Sequence, residues 1–496
     1  MVNYTKFVVK GTITIFIISI LAVFLGYLVR LLLARNLTVE YFGLFYAVFA
    51  FLSLISFFKS FGLDTSLIKF IPEFKHTKNN NAIKSSIIFV IIVQLLTNLV
   101  IIAFIYLFSN YLSANFFHNP RASAILRLMA IAFFFDSFVV TLKFSFQGFQ
   151  KMAYFAGVDF VRMLLLVVIV YIGLKMNYGM SGAVFAYIIV PVILLIIFTS
   201  ILLKKVFPES KESAFIFDMN IFKKLFSYGV YVLAGAIGWL ILGYTDSIVL
   251  TYFSGLEAVG LYNVALPTAN VLVYIPRAFV GVLLPLTSEL WVKKKKALLS
   301  AGMESLYKYL IIITLPFALI MFSFSDLIIN VLYGKAYIPA SIALKILTIG
   351  MFMGTFHAIN STFFSGIGKP QINSKIVYIA AIFNLLGDLI LIPIMGIMGA
   401  AITTTASLFI LALMTMVKIR KFIKITFPIQ IWVRTAAIGI VFVFVIWFLK
   451  KIIFLDVWLE TSIVLIISSI VYVVLLFLLK VININELKDL YRRIVK

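Results

Sequence analysis

The sequence predicts an all-α polytopic membrane protein of about fourteen transmembrane helices, laid out as two parallel six-helix repeats plus two extra C-terminal helices. Three observations carry this. Of 496 residues, 64% are apolar and only 12% charged, which leaves too little polar surface to solvate a chain of this size. The apolar residues gather into runs of spanning length, and in hydrocarbon the backbone must pair within its own segment, so runs far longer than barrel strands read as helices. The chain also repeats itself. Glu40, Gly43 and Leu44 return 217 residues later as Glu257, Gly260 and Leu261, and Gly179, Gly182 and Ala183 return as Gly396, Gly399 and Ala400. Gly148 and Lys151 match Gly366 and Lys369, and Phe108-Ser109 matches Phe324-Ser325, at nearly the same spacing.

The first run, residues 11–35, follows Lys6 and Lys10 and resembles a signal peptide in outline. Its full spanning length and the lack of a small-x-small cleavage site predict that it stays as span one. Runs at 43–63, 83–109, 121–145, 152–174 and 179–203 complete an N-terminal six-helix lobe, residues 1–203. The Lys-rich stretch 204–225 reads as a cytoplasmic linker. Spans at 226–253, 260–288, 303–333, 339–365, 371–393 and 396–417 make the C-terminal lobe, 226–418, and its first span starts where the repeat spacing places it. An even number of spans per lobe makes the repeat parallel. Pro267, Pro276 and Pro285 predict a kink in span eight, because proline removes a backbone bond and clashes with the preceding turn. Runs at 429–449 and 458–480 form an appendage over 429–480, followed by a basic cytoplasmic tail, 481–496.

The net charge of +24 is spread over alternate loops, including Lys69 to Lys84, Lys204 to Lys224, Lys293 to Lys296, Lys418 to Lys424 and the tail with Arg492-Arg493. That alternation is the positive-inside pattern with both termini cytoplasmic, and it calls for the lipid bilayer as partner and no nucleic acid. Cysteine is absent, and His76, His118 and His357 have no metal-ligand spacing. Gly366 to Lys369 lacks the spacing of a phosphate loop and precedes Pro370, and no polar loop is long enough for a catalytic domain. The expectation is a non-enzymatic protein without cofactor or metal: a carrier whose two halves rock to expose a cavity to alternate sides.

Charges in mid-span are costly in hydrocarbon and mark candidate cavity residues. Arg30 lies in the outer part of span one, Arg162 near the middle of span five and Arg277 in span eight after Pro276. Guanidinium groups grip phosphate oxygens in a bidentate fork, so these three suit a phosphorylated or pyrophosphorylated cargo, with pairing to an interhelical Asp as the alternative. The acidic and polar candidates are Asp136, Asp159, Asp246, Asn384 and Asp388. Asp159 and Arg162, three apart on one helix face, are placed to neutralise each other, and Asn384 and Asp388, four apart, to bind sugar or glue helices. Lys59 and Asp64 read as structural, one snorkelling and the other capping a turn.

The stretch Leu33-Ala-Arg-Asn-Leu-Thr-Val-Glu-Tyr-Phe-Gly43-Leu-Phe45 resembles a signature of polysaccharide-biosynthesis membrane proteins of the Wzx type. Phe61 to Asp64 with Phe70 to Glu73, Asp246 through Asn263, Leu332 to Gly334, Gly366 to Lys369 and Leu391 through Gly399 are similar to further blocks of that family, in the same order. Residues 36 to 40 depart from its usual Gly-Pro at this turn. The family sits in the superfamily that also holds multidrug and toxin exporters and lipid II flippases. The resemblance implies a flippase carrying an isoprenoid-(pyro)phosphate-linked oligosaccharide from the inner to the outer leaflet of the plasma membrane, for cell-surface polysaccharide or glycan biosynthesis. Glycosyltransferase or polymerase partners would follow. Two alternatives remain open: an ion-coupled exporter of organic cations with the same fold, and a non-transporting scaffold of a glycan-assembly complex.

Overall fold

The computed structural model describes the backbone of residues 2–482, with side chains from 17 to 482 except those at 278, 279 and 282. The expected basic tail with Arg492-Arg493 lies outside the described residues. Among these, seventeen α-helices form, and fourteen are long and apolar enough to cross a membrane. They follow as α1 (Val2–Asn36), α2 (Val39–Ser56), α3 (Leu63–His76), α4 (Asn80–Asn115), α5 (Ala122–Gly148), α6 (Met152–Lys175) and α7 (Gly179–Ile201). Next come α8 (Met219–Phe253), α9 (Gly255–Ala269), α10 (Tyr274–Val292), α11 (Lys296–Ser323), α12 (Ser325–Tyr333), α13 (Ala340–Gly366), α14 (Pro370–Met395) and α15 (Ile397–Ile419), and finally α16 (Ile429–Ile452) and α17 (Val457–Leu478). Side-chain oxygens close several helix starts: Thr38 accepts from the Tyr41 amide, Asn79 from Ala82, Asp218 from Asn220 and Asp456 from Trp458.

The internal repeat is legible in the helix boundaries. α1 ends at Asn36 and α8 at Phe253, α5 ends at Gly148 and α13 at Gly366, and α7 begins at Gly179 where α15 begins at Ile397. Three expected spans differ. Span two stops at Ser56 instead of 63, because the chain turns through Phe61 (φ 49°) and Gly62 (φ 75°) into α3, an amphipathic helix outside the fourteen spans. Span eight is interrupted by a 3₁₀ turn, Asn270–Val273, rather than kinked at Pro276. Pro276 is the third residue of α10, where a helix has no use for its N–H, so the proline starts a helix instead of bending one. Span nine breaks at Phe324 into α11 and α12, where the first repeat keeps one continuous α4.

The chain divides into two compact units. The first holds Met1–Asn263, Leu332–Ala336 and Leu385–Ile397. Within it α1 runs along α6, α5 packs on α4 and α7, and α3 is held among α4, α5 and α8. Helices meet closely at glycines. A Cβ on Gly173 of α6 would lie 3.0 Å from the Gly182 Cα of α7. The repeat-related Gly43 and Gly260 face each other, so that a Cβ on Gly43 would fall 1.8 Å from the Leu256 carbonyl oxygen. Small residues at such crossings let backbones approach in a medium that offers no hydrophobic drive between helices.

The second unit holds Val264–Val331, Tyr337–Asn384 and the chain from Met398 on. Its core joins α10, α11 and α13 through Tyr307, Phe363 and Phe364, all fully buried. The two extra helices belong to it. Gly439 of α16 seats against Leu315 and Leu319 of α11, and Tyr472 of α17 donates to the Ile312 carbonyl at 3.1 Å. Glu304 accepts from both the amide and the hydroxyl of Thr426 at 2.7 Å, fixing the connection into α16. Exposed apolar side chains such as Leu107, Ile196 and Ile440 cover the spans, the surface a hydrocarbon solvent requires.

Candidate functional site

Several cations of the first unit lie at membrane-spanning or cavity-lining positions, Arg30, Arg162, Lys143 and Lys59 among them. On α1, Val29 and Leu33 are buried, which turns the half-buried Arg30 beside them toward α2 and α9. Its guanidinium donates to the Asn263 backbone carbonyl and lies 4.3 Å from the centre of the Tyr46 ring. A carbonyl and a π-face offset the charge without a carboxylate. One turn further out, Arg35 donates to the Leu332 carbonyl at 2.8 Å, and the Tyr27 and Tyr333 hydroxyls meet at 2.7 Å.

Arg162 on α6 reaches across to α5, where its Nη2 is 2.9 Å from Asp136 Oδ1, with the side chains 18% and 28% exposed. A second rung, Lys143 Nζ to Asp159 Oδ2 at 2.6 Å, joins the same two helices with the charges reversed. The expected pairing of Asp159 with Arg162 along α6 is therefore replaced by two interhelical pairs, because helices crossing this closely bring opposite charges head to head. Tyr187 on α7 links the two arginines: it stacks edge-on with Phe45 and Phe49 and sits within electrostatic range of Arg30, Arg162, Asp136 and Tyr46.

Asp136 also lines a cavity of about 390 Å³. Its walls are Phe49, Ser53 and Ser56 of α2, the turn with Lys59 and Ser60, Asp64 and Thr65 of α3, Phe133 and Phe144 of α5, and Ala236, Leu240 and Tyr244 of α8. Glycine makes this floor: a Cβ on Gly62 would fall 2.1 Å from the Gly229 carbonyl, so only glycine lets α8 approach the turn. Asp64 is 5% exposed and is held by Gln94 Nε2 at 2.5 Å and Thr141 Oγ1 at 3.0 Å.

The remaining candidates are not among the residues that line this cavity. Asp246 of α8 is buried and accepts from the Tyr262 hydroxyl, while its neighbour Ser247 accepts from Asn263 Nδ2 at 3.0 Å, so this pair ties α8 to α9. Asn384 of α14 donates to Thr404 of α15 at 3.4 Å in the second unit, the gluing role. Asp388, one turn on, is fully buried in the part of α14 that groups with the first unit. Arg277, in the second unit, is exposed and covers the ring of Tyr274 on its own helix at 4.5 Å.

A family model described as polysaccharide biosynthesis protein matches residues 8–291, more than half of the chain. The chain belongs to the polysaccharide biosynthesis protein family. An uncharacterized membrane protein of Methanocaldococcus jannaschii is 36% identical over the whole of both chains. A probable low-salt glycan biosynthesis flippase of Haloferax volcanii, Agl15, is 23% identical over 80% of each. The fold matches that of the lipid II flippase MurJ in an inward closed conformation, with a TM-score of 0.75 at 16% identity, covering 98% of this chain and 100% of that one. This member of the polysaccharide biosynthesis family is thus a multi-pass membrane protein with the architecture of a known lipid flippase.

Within that architecture the charged groups of the cavity wall are Lys59, Asp64 and Asp136, the last paired with Arg162, while Arg30 lies off the wall against Tyr46. Hydroxyls from Ser53, Ser56 and Ser60 and aromatic faces complete the lining, a surface suited to an anion attached to a polar, ring-shaped group. Sequence reading set aside Lys59 and Asp64 and passed over Tyr46 and Tyr187. The signal for the first two was present: Ser53, Ser56 and Ser60 repeat at three and four residues, as do Gln94 with Asn98 and Ser137 with Thr141, and a polar stripe through apolar spans marks a lined interior.

Proposed function

We propose that the chain is a flippase for an isoprenoid-(pyro)phosphate-linked oligosaccharide, moving it from the inner to the outer leaflet of the cell membrane with both termini cytoplasmic. The observation that carries this reading is the cationic neighbourhood of the first unit. Lys59 shares with serine hydroxyls and aromatic faces a cavity of about 390 Å³, within the range of small-ligand sites; Arg162 is paired with Asp136 of its wall, and Arg30 lies on the Tyr46 ring of the same unit. A pyrophosphate with its first sugar is the group such a lining suits, while the isoprenoid tail stays in lipid. The two six-helix halves of the repeat supply the moving parts, alternately exposing the head group to each side. Cargo would come from glycosyltransferases on the cytoplasmic face and pass to polymerases or transferases outside. Because the work is translocation, no catalytic group is required.

The test is transbilayer movement of a labelled polyprenyl-pyrophosphate oligosaccharide in liposomes holding the purified protein. Wild type should move it, and Arg30→Ala, Arg162→Ala and Lys59→Ala should lose movement while remaining folded. Absence of movement by wild type, with uptake of cationic dyes under an ion gradient, would overturn the reading in favour of an exporter.

A further inference from the structure

Asp64 is the one carboxylate that the cavity reaches and that no cation bonds directly in the hydrogen bonds and ion pairs of the described residues. Its neighbours come from every element around it. The turn contributes Ser60, with its hydroxyl in hydrogen-bonding range, and Lys59, close enough to act on it through space. From α4 comes Gln94, and from α5 come Thr141 and, elsewhere on the cavity wall, Asp136, which is committed to Arg162. Lys143, also on α5, is committed to Asp159. On α8 the polar groups are Tyr244, on the same wall, and Tyr228, whose ring is covered by Lys69 of α3 at 4.6 Å.

The geometry around Thr141 is what distinguishes this site from a static helix clamp. Thr141 Oγ1 is 3.0 Å from Asp64 Oδ1 and 2.8 Å from Gln94 Oε1, yet a hydroxyl has one proton to give. With Asp64 ionised, Thr141 donates to the carboxylate, and Gln94 Nε2 donates a second bond. With Asp64 protonated, the new O–H donates to Thr141, whose own proton turns to Gln94 Oε1. Thr141 thus keeps a hydrogen bond to Asp64 in either charge state without moving a heavy atom, donating when Asp64 is ionised and accepting when it is protonated, which a fixed N–H donor cannot do.

We infer that Asp64, switched by Thr141 and Gln94, is a proton-binding site open to the cavity, and that its occupancy is linked to an anion on Lys59. An anion taking Lys59 removes the positive charge that favours ionised Asp64, so proton and anion bind together, and by reciprocity each raises the affinity of the other. The proton site stands on the geometry alone; the anion linkage rests on the cargo reading above.

Difference infrared spectroscopy of the full chain in lipid nanodiscs tests both parts, because a protonated carboxyl has its own C=O stretch. The expected result is a carboxylic-acid band that disappears as the pH is raised, is lost in Asp64→Asn and persists in Asp136→Asn. Asp64→Glu, a milder change, should move the band rather than abolish it, which keeps the assignment open to test if the Asn variant fails to fold. Inorganic pyrophosphate should shift the titration upward by about one pH unit or more, and Lys59→Gln should erase that shift. No titrating band in wild type, or one untouched by both Asp64 variants, overturns the proton site. A band that titrates but ignores pyrophosphate overturns the linkage only, and leaves the flippase reading to its own transport assay.

Discussion

Replacing Gly43 by alanine tests whether the repeat-related crossing of α2 and α9 holds the first unit together. The added Cβ would sit 1.8 Å from the Leu256 carbonyl oxygen and 2.9 Å from the Gly260 nitrogen. Carbon needs roughly 3.5 Å, and both obstacles are backbone, so the helices must part by more than an ångström. Overpacking costs about 1–3 kcal/mol where side chains can give; here none can, which places Gly43→Ala at about 3 kcal/mol or above. At that cost the folded-to-unfolded ratio falls roughly 150-fold. Gly157 of α6 is the control, because a Cβ there meets nothing within 4 Å, and its alanine variant should gain up to about 1 kcal/mol of helix propensity. Denaturant midpoints of the two variants in detergent, beside wild type, are the assay. Gly260→Ala should resemble Gly43→Ala, since its Cβ would lie 2.4 Å from the Val39 oxygen, and the double variant should cost less than the sum because one separation relieves both clashes. Equal stability of Gly43→Ala and Gly157→Ala would refute the argument.

Two further outcomes follow from the charged groups. Arg162→Met should destabilise by about 2–3 kcal/mol, somewhat less than a fully buried pair, by stranding Asp136, whereas Arg162→Met with Asp136→Leu should return near wild-type stability; if the cargo needs Arg162, that double variant melts normally yet transports poorly, and normal transport would remove Arg162 from the cargo site. In the second unit, a hydrogen bond from Ser341, helped by Lys345 at 3.3 Å, holds the Asp326 carboxyl below its ordinary range against the opposing effect of burial. A depressed carboxylate stabilises above its unfolded value and loses that contribution as pH falls through the folded one, so the melting difference between wild type and Asp326→Asn should be full at neutral pH, begin to shrink near the ordinary carboxylate value of about pH 4 and disappear in more acid solution. A constant difference across that range would contradict the sign.

The spanning helices could be read from the sequence because hydrocarbon imposes one rule everywhere, and runs such as 152–174 and 179–203 have no other way to satisfy their backbone. What escaped was local. The end of α2 at Ser56 is set by Gly62 meeting Gly229, a contact between residues far apart in the chain that no apolar run announces. Pro276 was read as a kink because sequence gives its presence but not its register within the turn. Among the candidate charges the partners differ from those the spacing suggests: one helix face offers Asp159 to Arg162, while partner choice depends on which helix crosses at that height. Asp64 shows the same limit, since its hydrogen-bond partners Gln94 and Thr141 sit on two other helices.

The pairing state of the cations bears on selectivity if the cargo is a pyrophosphate. In this structure no cation of the site is idle: Arg162 is met by Asp136, Arg30 by a carbonyl and a ring, and Lys59 by the field of Asp64. An incoming anion must therefore repay what it breaks. In surroundings of low dielectric, displacing a carboxylate from Arg162 costs several kcal/mol, more than a single weakly coordinating charge such as chloride recovers. A pyrophosphate brings several charges and oxygens for bidentate contact with a guanidinium. With a pyrophosphate as cargo, the resting pairs would act as a threshold that cellular chloride does not cross and a diphosphate does. On this argument Asp136→Asn, which lowers the threshold without adding a cation, should tighten pyrophosphate binding while admitting chloride as a competitor, and salt titration of binding in the two proteins separates them: wild type indifferent to chloride beyond ordinary screening, the variant inhibited by it. Equal chloride sensitivity would mean that the pairs hold helices together and filter nothing.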